Sequence, residues 1–93
     1  MYDVPYFNQA FSQVLRNQRE QRRLTQMRLA VAIGGSEIAI RRMERGAQTP
    51  TLTTFLLLAN ALCLPPTEFL ALIMERMNAM EYAGREETPK HGI

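Results

Sequence analysis

One segment constrains the fold more than any other: "TQMRLAVAIGGSEIAIRRMERG", which begins at Thr25. It contains two short runs with the apolar spacing of a helix, and each run follows a residue that caps helices well, Thr25 or Ser36. A glycine, Gly34 or Gly46, stands where each run ends, as is common after a helix. The segment therefore predicts two short helices joined by the three-residue turn Gly-Gly-Ser.

Helical spacing also precedes this segment and follows it. Phe7, Phe11, Val14 and Leu15 predict a first helix over residues 7–22. The stretch "LTTFLLLANALCL", capped by Thr51, predicts a fourth helix. Its expected core side consists of Leu52, Phe55, Leu56, Ala59 and Leu62.

The stretch "PPTEFLALIMERMNAM" predicts a fifth helix, because proline is well tolerated where a helix begins. Periodicity is lost after Met80, where the sequence becomes polar with Gly and Pro. The expected fold class is all-α: one compact five-helix domain over residues 1–80, followed by a flexible, disordered tail over residues 81–93.

No run of apolar residues is long enough to span a bilayer, and the first residues lack the pattern of a signal peptide. A single cysteine cannot form an internal disulfide, which suits a reducing compartment. Together these features predict a cytoplasmic protein.

Charge is distributed unevenly along the chain. Between Arg16 and Arg45 there are eight arginines against three glutamates, whereas the remainder has a net charge of −3. This asymmetry favours an anionic partner for the first half of the chain, although a solvated charged face would show it as well.

The second short helix concentrates this charge on one side. When residues 37–45 are wound at 100° per residue, Ala39, Ile40 and Met43 gather on one face. The opposite face, expected to project outward, holds Glu37, Ile38, Arg41, Arg42 and Arg45.

The chain resembles DNA-binding domains of the Cro and lambda-repressor type, also called the xenobiotic-response-element family. The residues that carry the resemblance are "LTQMRLAVAIG", Ser36, Ile40, "ERGAQTP" and "LTTFLLLANAL", and it covers about residues 11–72. The resemblance implies a lambda-repressor-like fold with a helix-turn-helix made by helices 2 and 3. It places the second helix, about residues 36–45, in the DNA major groove as the recognition helix.

Three residues of this helix take the family's base-contacting positions: Glu37, Ile38 and Arg42. Arg42 suits guanine O6 and N7, Ile38 suits a thymine methyl group, and Glu37 suits a cytosine amino group. Alternatively, Glu37 and Arg41 form a helix-stabilising ion pair, and an exposed isoleucine needs no special explanation.

Contacts to the DNA backbone are expected from residues around this helix. The expected phosphate or mixed contacts are Thr25, Gln26, Arg41, Arg45, Thr49 and Thr51. The family also commonly pairs an arginine of helix 1 with the glutamate of its Glu-x-Gly motif, which implies a structural ion pair between Arg19 and Glu44.

Two positions, one in helix 4 and one just after it, depart from the family pattern. Cys63 stands where a glycine often closes helix 4, and we expect a buried, inert thiol that is strained if its backbone is left-handed. Leu57 occupies a usually polar position, and helix 5 adds more apolar surface than one small core needs. This surplus predicts a homodimer interface. Its expected residues are Leu57, Phe69, Leu70, Leu72, Ile73, Met74 and Met77. The alternative is that helix 5 only covers the core of its own chain.

Nothing in the sequence supports catalysis or a cofactor. His91 is the only histidine, and no cluster has the spacing of metal ligands. The favoured function is a sequence-specific transcriptional regulator that binds double-stranded DNA as a homodimer on a palindromic operator. Controllers of restriction–modification operons and some antitoxins share this size and layout. The alternative is an antitoxin or other protein-binding module whose helix 5 or tail holds a partner such as a toxin, with DNA binding for autoregulation.

Overall fold

The computed structural model describes Val4 and residues 6–87, with side chains as far as Ala83. This part of the chain forms five α-helices and no strand, as the sequence predicts. They are α1 (Phe7–Gln21), α2 (Gln26–Ile33), α3 (Glu37–Glu44), α4 (Leu52–Ala61) and α5 (Pro66–Glu87). His91 and residues 88–93 of the predicted tail lie outside the described residues.

Three helices begin with a hydroxyl cap at the predicted residue. The hydroxyl oxygen of Thr25 accepts a hydrogen bond from the Arg28 amide at 3.0 Å, and Ser36 accepts one from Ala39 at 3.1 Å. Thr51 caps α4 in the same way. Each cap satisfies one amide that the first helical turn leaves unpaired.

The first four helices all end in a left-handed residue. Gly34 (φ 69°) and Gly46 (φ 76°) follow α2 and α3, and Arg23 and Cys63 (both φ 56°) follow α1 and α4. In each case the next amide bonds back to a carbonyl five residues earlier, as in the Schellman motif. The glycines that the sequence places after α2 and α3 are therefore left-handed helix ends, as their position predicts.

The core lies where α1, α4 and α5 meet the helix pair α2–α3. Phe69 stacks on Phe55 with ring centroids 4.7 Å apart and tilts against Phe11 at 6.2 Å. Leu29 and Ala30 of α2 are buried in the same cluster. The helix-turn-helix is thus fixed to a single core rather than held by its own turn alone.

Helix α4 corrects the predicted core side. Phe55, Ala59 and Leu62 are buried as expected, but Leu52 and Leu56 are 74% and 44% exposed. Leu58 takes the inward position instead and is completely buried. The prediction was wrong there because "FLLLA" is apolar on every side, so the pattern does not mark which leucine faces inward.

Two residues predicted for the dimer interface are also corrected. Phe69 and Ile73 have no accessible surface, since both lie inside the core of their own chain. They are therefore not available to a second copy. Cys63 is exposed rather than buried, and its left-handed backbone carries the strain expected for a residue with a Cβ atom.

Helix α5 extends further than the sequence pattern suggests. It continues to Glu87, so residues 81–87 of the predicted tail are helical. Among the described residues no single helix is long and apolar enough to cross a membrane. By length and composition, α4 and the part of α5 up to Ala83 qualify only as a pair bent by 105°.

Candidate nucleic-acid interface

Three buried side chains fix the orientation of α3. Ile40, Met43 and Glu44 are at most 3% exposed and lie on one side of the helix. With this side held against the core, the opposite side must face solvent. Ile38 is 56% exposed, and the three arginines of α3 and its C-cap are exposed around it: Arg41, Arg42 and Arg45.

One of the two roles predicted for Glu37, the ion pair with Arg41, is present in the structure. Its Oε2 lies 3.3 Å from a terminal nitrogen of Arg41, which is the helix-stabilising ion pair. By contrast, the side chains of Arg42 and Arg45 make no hydrogen bond or ion pair with any residue that the structure describes. Arg42 and Arg45 are therefore the cations of this face that are available to an external anion.

Glu44 lies at the centre of a hydrogen-bond network beneath α3. Arg19 donates to both of its carboxylate oxygens, from Nε at 2.6 Å and from Nη2 at 2.9 Å. Arg19 also donates to the carbonyl of Leu24 at 2.8 Å. Since the Glu44 side chain is only 1% exposed, a second charge beside it is needed to offset its desolvation.

This pairing keeps Arg19 ionised. Its hydrogen bond to Glu44 raises the pKa of Arg19 above the ordinary arginine value, although partial burial acts in the opposite direction. The Arg19–Glu44 pair therefore links α1 to α3 through a charge-assisted, two-pronged hydrogen bond.

Gln26 joins the same network, a contact that the sequence did not reveal. Its side-chain nitrogen donates to Oε1 of Glu44 at 3.0 Å, so the first residue of α2 is tied to the last residue of α3. One amide hydrogen is used in this way, and the second is left to donate elsewhere. Glu44 thus sets the relation between the two helices of the motif.

The loop threonines use their hydroxyl groups inside the protein. Thr49 donates to the side-chain oxygen of Asn8 at 2.7 Å, and Thr51 donates to Thr54 at 3.1 Å. Within the described part of the chain, the backbone amides of Thr49 and Thr51 make no hydrogen bond to a backbone carbonyl. If this loop contacts a phosphate, those amides rather than the hydroxyls are the available donors.

A second exposed surface lies on α4 and α5, which pack against each other. Leu57, Leu70 and Met74 are 42%, 42% and 52% exposed. Leu72 and Met77, also predicted for the dimer interface, are half-buried against the core. Leu56 is a further exposed apolar residue that the predicted interface omitted.

The sequence belongs to a known family. The family model described as "helix-turn-helix domain" matches residues 10–72, which include the capped pair α2–α3 and the packed helices on either side. The chain is therefore a member of the helix-turn-helix family, and the fold predicted from its sequence is confirmed. Its fold and its exposed cationic helix define a DNA-binding regulator.

One solved structure is similar in both fold and sequence. It is the restriction-modification controller protein C.AhdI from Aeromonas hydrophila, with a TM-score of 0.63 and 35% sequence identity. The match covers 64% of this chain and 91% of that chain. No curated protein matches the chain significantly.

Proposed function

We propose that the protein is a sequence-specific transcriptional regulator that binds a palindromic operator as a homodimer. The observation that carries this proposal is the outward face of α3, where Ile38 and Arg42 stand free beside Arg41 and Arg45. The core-facing side of α3 is fixed by buried side chains and its solvent-facing side is cationic. A helix of this kind fits the major groove, which is about 12 Å wide. The likeness to a restriction-modification controller supports a regulator of gene expression.

Arg42 is the main base-reading residue in this proposal. Its guanidinium has no partner among the described residues, so it can bind guanine O6 and N7 without breaking an existing contact. Ile38 packs on a thymine methyl group. Glu37 reads a cytosine amino group only at the expense of its ion pair with Arg41, which makes it the weakest of the three base contacts.

The backbone contacts come from both sides of the groove. Arg41 and Arg45 bind phosphates as cations, and Gln26 donates its second amide hydrogen while the first holds Glu44. Thr25 contributes its hydroxyl at the start of α2. Thr49 and Thr51 contribute backbone amides rather than side chains. These contacts set register and affinity but not sequence preference.

The second copy binds through the exposed apolar residues of α4 and α5: Leu57, Leu70 and Met74, with Leu72 and Met77 at the margin. In the proposed dimer a twofold axis passes through this surface, and each copy presents one α3 helix to one half-site. This symmetry also makes the recognised sequence palindromic.

Selection of bound duplexes from a random library at about 150 mM salt tests this function. The proposal predicts recovery of a palindrome whose two half-sites each contain a guanine and a thymine. Recovery of no preferred sequence would contradict sequence-specific binding, and recovery of a single asymmetric site would contradict the homodimer.

A second candidate function rests on the same apolar residues. A protein module that neutralises a partner such as a toxin would also expose leucines on α4 and α5, and would use DNA binding only for autoregulation. Light scattering of the purified chain separates the two: a dimer at micromolar concentration supports the homodimeric regulator, and a monomer supports the partner-binding module.

A further inference from the structure

A cationic cleft lies at the C-terminal end of α3, where the helix-turn-helix meets α1 and α5. Helices α1, α3 and α5 enclose a volume of about 590 Å³ there. Three arginines line it, one from α1, one from the C-cap of α3 and one from α5: Arg16, Arg45 and Arg76. The only acidic residue that lines the cleft is Glu44.

The positive charge of this cleft is not neutralised within the part of the chain that the structure describes. Both carboxylate oxygens of Glu44 already accept hydrogen bonds from Arg19. Arg16 lies 3.8 Å from that carboxylate and donates to the Glu44 carbonyl at 3.3 Å. Arg45 and Arg76 have no side-chain partner among the described residues. The cleft therefore has cationic donors left for an anion from outside.

Arg76 lies on α5 at the solvent edge of the buried stripe. Phe69 and Ile73 are completely buried, and the inward side of the helix continues through Met77 and Met80, which pack against the core. Arg76 itself is exposed, and its side chain lines the cleft. A purely structural role would be to stabilise the C-terminal carbonyls of α3, but Arg16 already donates to one of these.

The cleft adjoins the DNA-binding face through Arg45. This residue lies on the same outward arc of α3 as Ile38, seven residues away, which corresponds to about 10 Å along a helix axis. When Ile38 lies against the bases, Arg45 is about two helical turns further along the same face, and in the proposed complex it meets the sugar–phosphate backbone that borders the groove.

We propose that this cleft binds one phosphate of the operator backbone, with Arg16, Arg45 and Arg76 as its ligands. The proposal rests on the function proposed above and extends the DNA interface beyond the helix-turn-helix to α1 and α5. A phosphate suits the cleft because arginines from three different elements line it, and guanidinium groups bind phosphate oxygens through charge-assisted hydrogen bonds. A homodimer has two such clefts, and each binds one backbone phosphate.

The test uses Arg76→Met in the full chain, with Arg85→Met as the matched control. Arg76 is exposed and methionine is a good helix former, so Arg76→Met should melt close to the wild type, as thermal denaturation will show. Arg85→Met removes the same charge nine residues further along the same helix, about 13 Å away.

Fluorescence anisotropy then measures operator affinity for each variant between 50 and 300 mM KCl. Loss of two phosphate contacts per dimer should reduce the slope of log K against log salt by about 1.8, since each contact contributes about 0.9. Base preference should stay unchanged for Arg76→Met, and Arg85→Met should keep the wild-type slope.

The possible failures are distinguishable. If the wild type binds the operator and Arg76→Met keeps its slope, the cleft does not hold a phosphate and this inference alone is overturned. An equal loss of slope in Arg85→Met would overturn it too, because the effect would then be one of net charge. If the wild type binds no duplex at all, the proposed function is overturned and the inference with it.

Discussion

Helices α3 and α4 follow each other in the chain, have similar lengths and start from the same kind of hydroxyl cap, yet they present opposite surfaces. α3 exposes arginines around one isoleucine, whereas α4 exposes leucines, including Leu56 and Leu57. A face of unpaired cations is suited to a polyanion, and a face of exposed leucines is suited to another protein surface. The difference indicates that DNA binding and self-association reside on separate helices of one small core.

The two helices also depend on different kinds of anchor. α3 is held partly by a buried charge, Glu44, which bonds to Arg19 and Gln26. α4 is held only by apolar packing of Phe55, Leu58 and Ala59. The angle of α3 to the core is therefore set by directional hydrogen bonds, as a base-reading helix requires, whereas α4 needs only to be packed.

The largest expected effect comes from removing the charged anchor of α3. Glu44→Ala leaves the Arg19 side chain, only 11% exposed, without its buried carboxylate partner and should cost about 3 kcal/mol of stability. That corresponds to a fall in Tm of roughly 12–24 °C for a domain of this size. Thermal denaturation measures this fall in Tm. Arg45→Ala, which replaces an exposed residue, is the control, and its stability should stay within about 0.5 kcal/mol of the wild type. Equal Tm values for the two variants would mean that Glu44 does not anchor α3.

The next largest effect is expected from the residue of α3 that determines base preference. Arg42→Ala should abolish the preference at one base pair in each half-site, a discrimination of about 1–3 kcal/mol. Arg41→Ala should instead weaken binding to all sequences alike and lower the salt dependence. Titration of both variants against operators with single-base changes measures this. Unchanged preference in Arg42→Ala would reject its contact to a base.

The apolar surface of α4 and α5 is tested by a charge placed within it. Leu57→Glu should weaken dimerisation at least tenfold, because burying a leucine side chain is worth about 1.5–3 kcal/mol and the new carboxylate would have to be desolvated. Leu52→Glu, at the start of the same helix and 74% exposed, is the control and should leave the dimer intact. Analytical ultracentrifugation distinguishes the two. A monomeric Leu52→Glu with a dimeric Leu57→Glu would place the interface at the other end of α4.

The smallest expected effect concerns how the two helices end. Gly46 follows α3 and Cys63 follows α4, both with a positive φ, which costs a residue with a Cβ atom about 1 kcal/mol. Cys63→Gly should therefore raise the free energy of unfolding by up to about 1 kcal/mol, whereas Gly46→Ala should lower it by a similar amount. Urea denaturation measures both. A destabilised Cys63→Gly would show that the cysteine side chain contributes more than its backbone costs.

The same contrast explains what could be predicted from the sequence. The exposed arc of α3 was predicted correctly because charged and apolar residues occupy opposite sides of that helix. In α4 no polar side marks the outside, so Leu52 and Leu56 were assigned to the core in place of Leu58. Hydrophobic periodicity reports which face is buried, and it fails when no face is polar.

The remaining differences depend on how helices are placed in space. The Gln26–Glu44 and Asn8–Thr49 hydrogen bonds join residues 18 and 41 positions apart, and no local pattern encodes them. The length of α5 was underestimated for a related reason. Residues 81–87 include good helix formers without an apolar stripe, and a solvent-exposed helix needs propensity rather than periodicity.

Methylation interference on the selected operator is the most direct test of the claim that α3 enters the major groove through Arg42. The account predicts that methylation of guanine N7 at one position in each half-site blocks the wild-type protein, because that atom faces the major groove. It also predicts that the same methylation no longer weakens binding by Arg42→Ala. Wild-type binding that is insensitive to N7 methylation at every guanine would contradict the account.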